Sequence, residues 1–428
     1  MRTLRTSLVI VTVCAVVSCA PPAPYEQMKP GKESSYLLVS AGDADEADSD
    51  FLAVIDLRSD SAQLGEVIQT MPTGMKSSMP HHMEYAMPPA GVLLHECPSS
   101  RDEHAPGCIQ PPCDPRGEDI RTSAAAAVSP RLFADTRWHT PRRVSAQRGQ
   151  EHRSRGDVTP GNHGGIAEYS ADGILLRQAI AGNAGGKPVR PYAFALLPEL
   201  DRLVVTSAPM MEIVSADVLQ IYRYSDFTLL QTIALPPGKL ADGREVEGSQ
   251  RAGFGPRVLS DGSVFLNSYG CTFYRLSEIG TNHPRLDTFF ALDTPPPSSE
   301  PGAIRGSCGI PVVFGNYWIN PVGQLHAVVV LDIGNPARPR EVFRLRTPPA
   351  FSPHWLARDP QFNRLVLGAE LGGEEGVYIL RFDEQTGRLS FDPALEGEGQ
   401  SGYVSLKNQS WPHGPSGPAW AHAALFLP

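Results

Sequence analysis

Three catalytic signatures are missing from this chain of 428 residues: Gly-x-Ser-x-Gly, a Walker phosphate loop and His-Glu-x-x-His. Their absence removes the usual serine-hydrolase elbow, the phosphate cradle of nucleotide hydrolases and the helical zinc-protease pair. The glycine pair at Gly185-Gly186 lacks the strand-to-helix context that a phosphate cradle needs. Charge is also scarce: 19% of residues are charged and the net formal charge is −9. An acidic chain has no basic footprint for a nucleic acid, so no nucleic-acid partner is expected. Past the N-terminus no run of 18 apolar residues occurs, which excludes a polytopic membrane protein. The acidic pair Glu374-Glu375 sits in a Gly-rich turn and reads as solvated rather than catalytic.

Turn-forming residues, by contrast, are plentiful, with 40 Gly and 41 Pro. Both interrupt helices, Pro by lacking an amide donor and Gly by its backbone entropy. The chain is therefore expected to be all-β. Six segments repeat one pattern, an apolar strand ending near a polar residue, a turn and a second strand. The first strand of each pair is Phe51–Asp56, Gly165–Tyr169, Leu219–Tyr222, Thr272–Leu276, Ala327–Leu331 or Val377–Leu380. Their centres fall near residues 55, 167, 221, 274, 330 and 379, so the first gap is 112 and the later ones about 50 to 56. Two periods fit the long gap, which places a seventh unit near residue 111. Seven such units predict a seven-bladed β-propeller. A pair of eight-stranded sandwiches and a two-domain β protein are the rival readings.

A further element precedes the hairpins. Pro80-His81-His82 leads to Gly91–Leu94, Pro191-Tyr192 to Arg202–Val205, Pro256-Arg257 to Ser263–Leu266, and Pro353-His354 to Arg364–Leu367. In a propeller this element is innermost, and the residue after the proline recurs at one height around the axis. The C-terminal Trp411-Pro412-His413-Gly414 and Ala419–Phe426 read as one more such strand, closing the first blade from the far end of the chain.

Where the missing unit belongs, the sequence changes. Residues 96–156 hold ten of the 31 Arg, no Lys and three Cys, without strand alternation. The blade at about 95–160 is therefore expected to be disrupted, either by an inserted disordered loop or by a stretch translated in a shifted frame. Cys97, Cys108, Cys113, His95 and His104 have zinc-suited types, but their spacings match no compact zinc pattern.

The N-terminus carries basic Met1–Arg5, an apolar run from Leu8 to Val17, and Val16-Val17-Ser18-Cys19. It reads as a lipoprotein signal peptide over 1–18, with Cys19 as the lipidated residue; ordinary cleavage with Cys19 incidental is the alternative. Residues 19–34 are then a tether and 35–428 the propeller domain. Ala20 after the cysteine points to the outer membrane or the periplasmic face of the envelope, with the lipid as the sole membrane anchor. An exported chain meets oxidising conditions, so Cys271 and Cys308, flanking one loop-and-strand excursion, form the candidate disulfide.

The histidines carry the chemistry. His82 and His354 stand at matching strand starts, and His413 and His422 lie in the C-terminal segments. Neutral imidazoles brought together from distant repeats suit copper, zinc or iron, with His81 and Glu84 as further candidates. The structural alternative is that each histidine caps a strand.

Pro80-His-His-Met-Glu-Tyr85, Pro353-His-Trp-Leu-Ala-Arg-Asp-Pro360, Trp411-Pro-His-Gly414, Ala421-His422 and Leu331-Asp-Ile-Gly-Asn-Pro-Ala-Arg-Pro-Arg340 resemble the selenium-binding protein and methanethiol oxidase family. The resemblance covers most of 35–94 and 164–427. It implies a seven-bladed propeller, copper at a set made of His82, His354, His413 and His422, and oxidation of methanethiol or another small sulfur compound. Two departures stand out. The third blade's Pro-His start is replaced by Trp138-His139-Thr140-Pro141, and the selenium-associated cysteine has no counterpart, so selenium binding is not expected. The alternative to an oxidoreductase is a non-enzymatic, envelope-anchored propeller whose face binds a protein or small ligand.

Overall fold

The computed structural model describes residues 36–77, Met83, 93–94, 109–110, 131–135, 165–169, 175–185, 187–208, 217–295, 306–370, 374–407, 409–414 and 416–427. The signal peptide, Cys19 and the tether lie outside these residues, as do His81, His82, Glu84 and most of 96–156.

The described chain is an all-β propeller. Five antiparallel sheets repeat one four-strand topology, each strand pairing with the next outward, and in one of them Tyr403–Ser405 adds a fifth strand. Blade four is built from Pro191–Leu197, Arg202–Ser207, Val218–Arg223 and Leu229–Ala234. Blade five is Gly253–Val258, Val264–Ser268, Thr272–Ser277 and Arg285–Ala291. Blade six is Val312–Phe314, Tyr317–Val322, Ala327–Asp332 and Arg340–Arg346. Blade seven is Pro353–Arg358, Arg364–Ala369, Gly376–Asp383 and Arg388–Phe391. Blade one joins both ends of the chain: Tyr36–Asp43, Phe51–Asp56 and Val67–Pro72 are completed on the inside by Ala419–Leu427.

Of the remaining two units only part is among the described residues. Arg131–Asp135, Gly165–Tyr169 and Leu175–Ile180 form a three-stranded sheet set against the inner strand of blade four. Leu93–Leu94 pairs with Ile109–Gln110. That last strand falls where the repeat period places the missing unit, since the third strands of the seven units start at residues 51, 109, 165, 218, 272, 327 and 376. The element expected ahead of each hairpin resolves into two strands, the inner one opened by Pro-x in blades four and seven.

The residues that end the apolar strands make the hairpin turns. Asp56, Asp332 and Asp383 each accept, through Oδ1, the amide two residues on (Arg58, Gly334, Gln385) at 2.9 Å. A short acceptor side chain that bonds its own backbone replaces the ladder and reverses the chain. The Arg340 guanidinium beside Asp332 holds its carboxyl below the ordinary carboxylate value.

Stability comes from apolar layers between neighbouring blades. Leu197, Val204 and Leu219 meet Val264, Leu266 and Tyr274 between blades four and five. Phe265 and Phe273 meet Trp318 and Val329 between five and six, and Phe314 and Val328 meet Leu365 and Leu380 between six and seven. Burying each such side chain contributes ~1.5–3 kcal/mol. The largest cluster joins blade seven to blade one and reaches inward to Met83, Phe254 and Ile310. Trp355, fully buried, adds a direct tie, donating its Nε1–H to the Ala424 carbonyl of the closing strand at 2.8 Å.

Candidate functional site

Strand register decides which residues are equivalent around the ring. Ala421, Pro191, Gly253 and Pro353 of the inner strands face Ala41, Ser207, Ser268 and Ala369, and Cys308, ahead of the inner strand of blade six, bridges to Val322. The residues that follow are therefore one ring position: His422, Tyr192, Phe254, Gly309 and His354 in blades one, four, five, six and seven. In every one of these blades the inner strand then carries one residue more than its partner. Such a bulge bends the strand and re-aims its side chains. Thr206 shows how the bulge is satisfied in blade four: its hydroxyl oxygen accepts the Ala193 amide at 3.1 Å and bonds the Ala193 carbonyl at 3.2 Å.

This register corrects one sequence expectation. Pro256-Arg257 does not match Pro353-His354, because Pro256 lies inside the bulge of blade five, three residues further along. Phe254 holds the ring position there, and Arg257 instead donates to the Pro311 carbonyl at 2.8 Å.

Two of the expected histidines come together. The rings of His354 and His422 lie 4.8 Å apart between centroids and 30° from parallel. Both are buried, His354 at 5% exposure and His422 at 1%. The Nδ1 of His422 bonds the Ala369 carbonyl at 2.9 Å. A carbonyl only accepts, so Nδ1 carries the proton and the lone pair of the neutral ring sits on Nε2. A backbone carbonyl behind the distal nitrogen is the usual support of a metal-binding imidazole.

Close backbone approach makes the pairing possible, and glycine permits it twice. A Cβ on Gly368 would stand 2.1 Å from the His422 carbonyl oxygen, and one on Gly309 would stand 2.0 Å from that of His354. The Ile310 amide donates to the same His354 carbonyl at 2.7 Å, a parallel bridge between blades six and seven.

Aromatic rings line the adjoining side. Phe254 meets His354 edge-on at 6.2 Å and Tyr192 at 4.5 Å, while Tyr269 lies 5.4 Å from Phe254 and 6.5 Å from His354. The Tyr269 hydroxyl donates to Glu370 Oε1 at 2.6 Å, and Ser352 donates to Glu370 Oε2 at 3.1 Å. Burial, with the Glu370 carboxylate alongside, pushes the Tyr269 phenol well above its ordinary range. Residues 352 and 370 directly adjoin the Pro353–Ala369 pair, so this polar cluster caps the same end of blade seven.

The other expected residues fall elsewhere. Trp411–Gly414 forms a turn rather than part of the closing strand, because Pro412 and Gly414 interrupt the ladder and the Gly414 amide returns to the Trp411 carbonyl. His413 accordingly leaves the set: its Nδ1 bonds Thr70 Oγ1 at 2.6 Å and its ring packs on Phe51 at 5.1 Å. His81, His82, Glu84 and Cys19 lie outside the described residues, and so do His139 and the Cys97, Cys108 and Cys113 cluster. Met83, next to His82, is buried in the cluster that also holds Phe254, Trp355 and Ala421. Cys271 and Cys308 are joined in a disulfide. Among the described residues no group of three or more His, Cys, Asp or Glu could hold a metal.

Sequence reasoning missed Tyr269, Glu370, Ser352, Phe254 and both glycines. The one signal for them was local: Tyr269 directly precedes Gly270-Cys271, and Glu370 follows the blade-seven strand opposite His354.

No protein-family model matches the sequence, and no curated protein matches it. Solved structures do. A hypothetical selenium-binding protein from Sulfolobus tokodaii superposes with a TM-score of 0.56 at 11% identity, covering 92% of this chain and 94% of that one. The periplasmic gluconolactonase of Pseudomonas aeruginosa superposes with a TM-score of 0.50 at 14% identity, covering 91% and 99%. At such identities the shared property is the fold.

Proposed function

We propose that this chain is an exported, lipid-anchored propeller that holds a copper ion at His354 and His422 and oxidises methanethiol or a similar small sulfur compound. His82, which lies outside the described residues, is the third ligand expected from the sequence. One observation carries it: two buried imidazoles from blades seven and one stack at 4.8 Å, with His422 held in the tautomer that leaves Nε2 basic. Paired imidazoles suit copper, zinc or iron, and copper is the metal that the resemblance implies. Bound copper would supply redox chemistry and polarise the substrate's sulfur. The chain's own residues orient and enclose. Ala369 fixes the His422 ring, the Gly309 and Ile310 backbone fixes His354, and Phe254 with Tyr192 offers an apolar wall. The likeness in fold to a selenium-binding protein supports the reading.

Metal analysis of the purified protein tests it. One copper per chain is expected, falling below a tenth of that in His354→Ala and in His422→Ala while the circular dichroism stays unchanged. A wild-type chain that takes up no copper would leave the non-enzymatic scaffold as the better description.

A further inference from the structure

The Cys271–Cys308 disulfide directly precedes, along the chain, the two residues that meet the His354 carbonyl. Cys308 precedes the inner strand of blade six, in a bridge to Val322 that matches the Pro353–Ala369 pair of blade seven, and Cys271 follows Tyr269 by two residues. The two cysteines are fully buried and bonded across 37 residues of sequence. The segment around Cys308 has two anchors on the blade-five turn. The Cys308 amide donates to the Tyr269 carbonyl at 2.9 Å, and Gly306 lies so near that a Cβ would stand 2.4 Å from that carbonyl oxygen. The next two residues then support His354: Gly309 against its carbonyl, and Ile310 through the 2.7 Å hydrogen bond. A single covalent tie thus joins the turn bearing Tyr269 to the backbone on which His354 rests.

We propose that the Cys271–Cys308 bridge is a positioning device that makes the site conditional on oxidation. With the bridge closed, residues 306–310 hold His354 against His422. With two free thiols, the segment loosens and the pair loses its alignment, while the apolar layers between blades keep the ring folded. Closure is an exchange with a disulfide donor: the Cys271–Cys308 S–S bond forms, the donor's S–S bond breaks, and two electrons and two protons leave on the donor's two thiols. A chain held in a reducing compartment would therefore carry the propeller without its competent site. The inference rests on the copper reading for its ligand, but the coupling of bridge to His354 exists without metal.

The test compares the wild-type chain with Cys271→Ala/Cys308→Ala. Amide exchange is followed in the metal-free proteins, and copper affinity is measured by titration with the metal alone. Ile310 is expected to exchange at least tenfold faster in the variant, relative to amides of Arg202–Ser207 in blade four, and copper to bind at least tenfold more weakly. Unchanged relative exchange at Ile310 would overturn the inference. Wild-type protein that binds no copper would sink the copper reading alone, leaving the exchange comparison to decide this one. Should the alanine pair fail to fold, Cys271→Ala/Cys308→Val keeps the buried volume apolar and is read the same way.

Discussion

At one position on the inner strands the two sides of the ring differ. Blades seven and one present His354 and His422, whereas blades four and five present Tyr192 and Phe254, and each pair of rings is in contact. The backbone device is the same on both sides, an inner strand with a one-residue bulge. What changes is the side chain it aims. A propeller therefore separates scaffold from chemistry: the bulge sets where a residue points, and substitution there sets what the site can do. The residue one step on differs as well. It is Trp355 in blade seven, where blade four has Ala193 and blade five has Gly255. The imidazole side thus carries an additional pin, from the Trp355 indole to Ala424.

Removing that pin should have the largest effect. Trp355→Ala gives blade seven the residue of blade four and empties a fully buried site. A loss of ~3–5 kcal/mol is expected, measured by denaturant unfolding, together with loss of bound copper. Trp355→Phe keeps most of the ring volume but leaves the Ala424 carbonyl without its indole donor, at a cost of ~1–2 kcal/mol. An alanine variant within 1 kcal/mol of wild type by the same measurement would mean that the two sides are held alike, contrary to the transfer-plus-cavity expectation of at least ~3 kcal/mol.

The ring itself was legible because its physical cause is local: six strand-and-turn units each leave their own trace in alternation and turn residues, and their spacing implies a seventh. The 112-residue gap even located the strand Ile109–Gln110. His354 was legible for the same reason, as a residue at a repeated strand start, and His422 as part of the C-terminal strand that closes the first blade. His413 was not, since its Pro and Gly neighbours make a turn whose direction depends on Thr70 and Phe51, far away in sequence. Nor was the match of Phe254 to His354, because a bulge shifts register without marking the sequence. The Tyr269–Glu370 bond spans 101 residues, and nothing local announces it.

The comparison sharpens at the glycines. Gly368→Ala would drive a Cβ to 2.1 Å from the His422 carbonyl oxygen, whereas Gly182, near blade four, has only Leu229 at an ordinary 3.5 Å. Gly368→Ala is expected to destabilise by ~1–3 kcal/mol, because the strand must move to relieve the clash. Gly182→Ala should stay within ~0.5 kcal/mol. Thermal midpoints of the two variants check the contrast, and equal shifts would show that the close approach at His422 is not under constraint.

The smallest effect concerns His413, the imidazole that the fold keeps for another purpose. Burial lowers its pKa from the ordinary 6.5, although Asp48 and Asp43 pull the other way. The folded chain thus holds His413 neutral where the unfolded chain would protonate it. Below pH 6.5 the unfolded state binds more protons, so the stability contributed by neutral His413 is present above that pH and is lost as pH falls through the depressed value. His413→Asn keeps a hydrogen-bonding group near Thr70 but cannot titrate. Its unfolding free energy should match wild type at pH 7.5 to within ~1 kcal/mol. Between pH 6.5 and 5 it should fall less steeply than wild type. Copper content at pH 7.5 should be unaffected, in contrast to His354→Ala. An undiminished acid slope would remove the half-buried imidazole as its cause, and lost copper would return His413 to the ligand set beside His354 and His422.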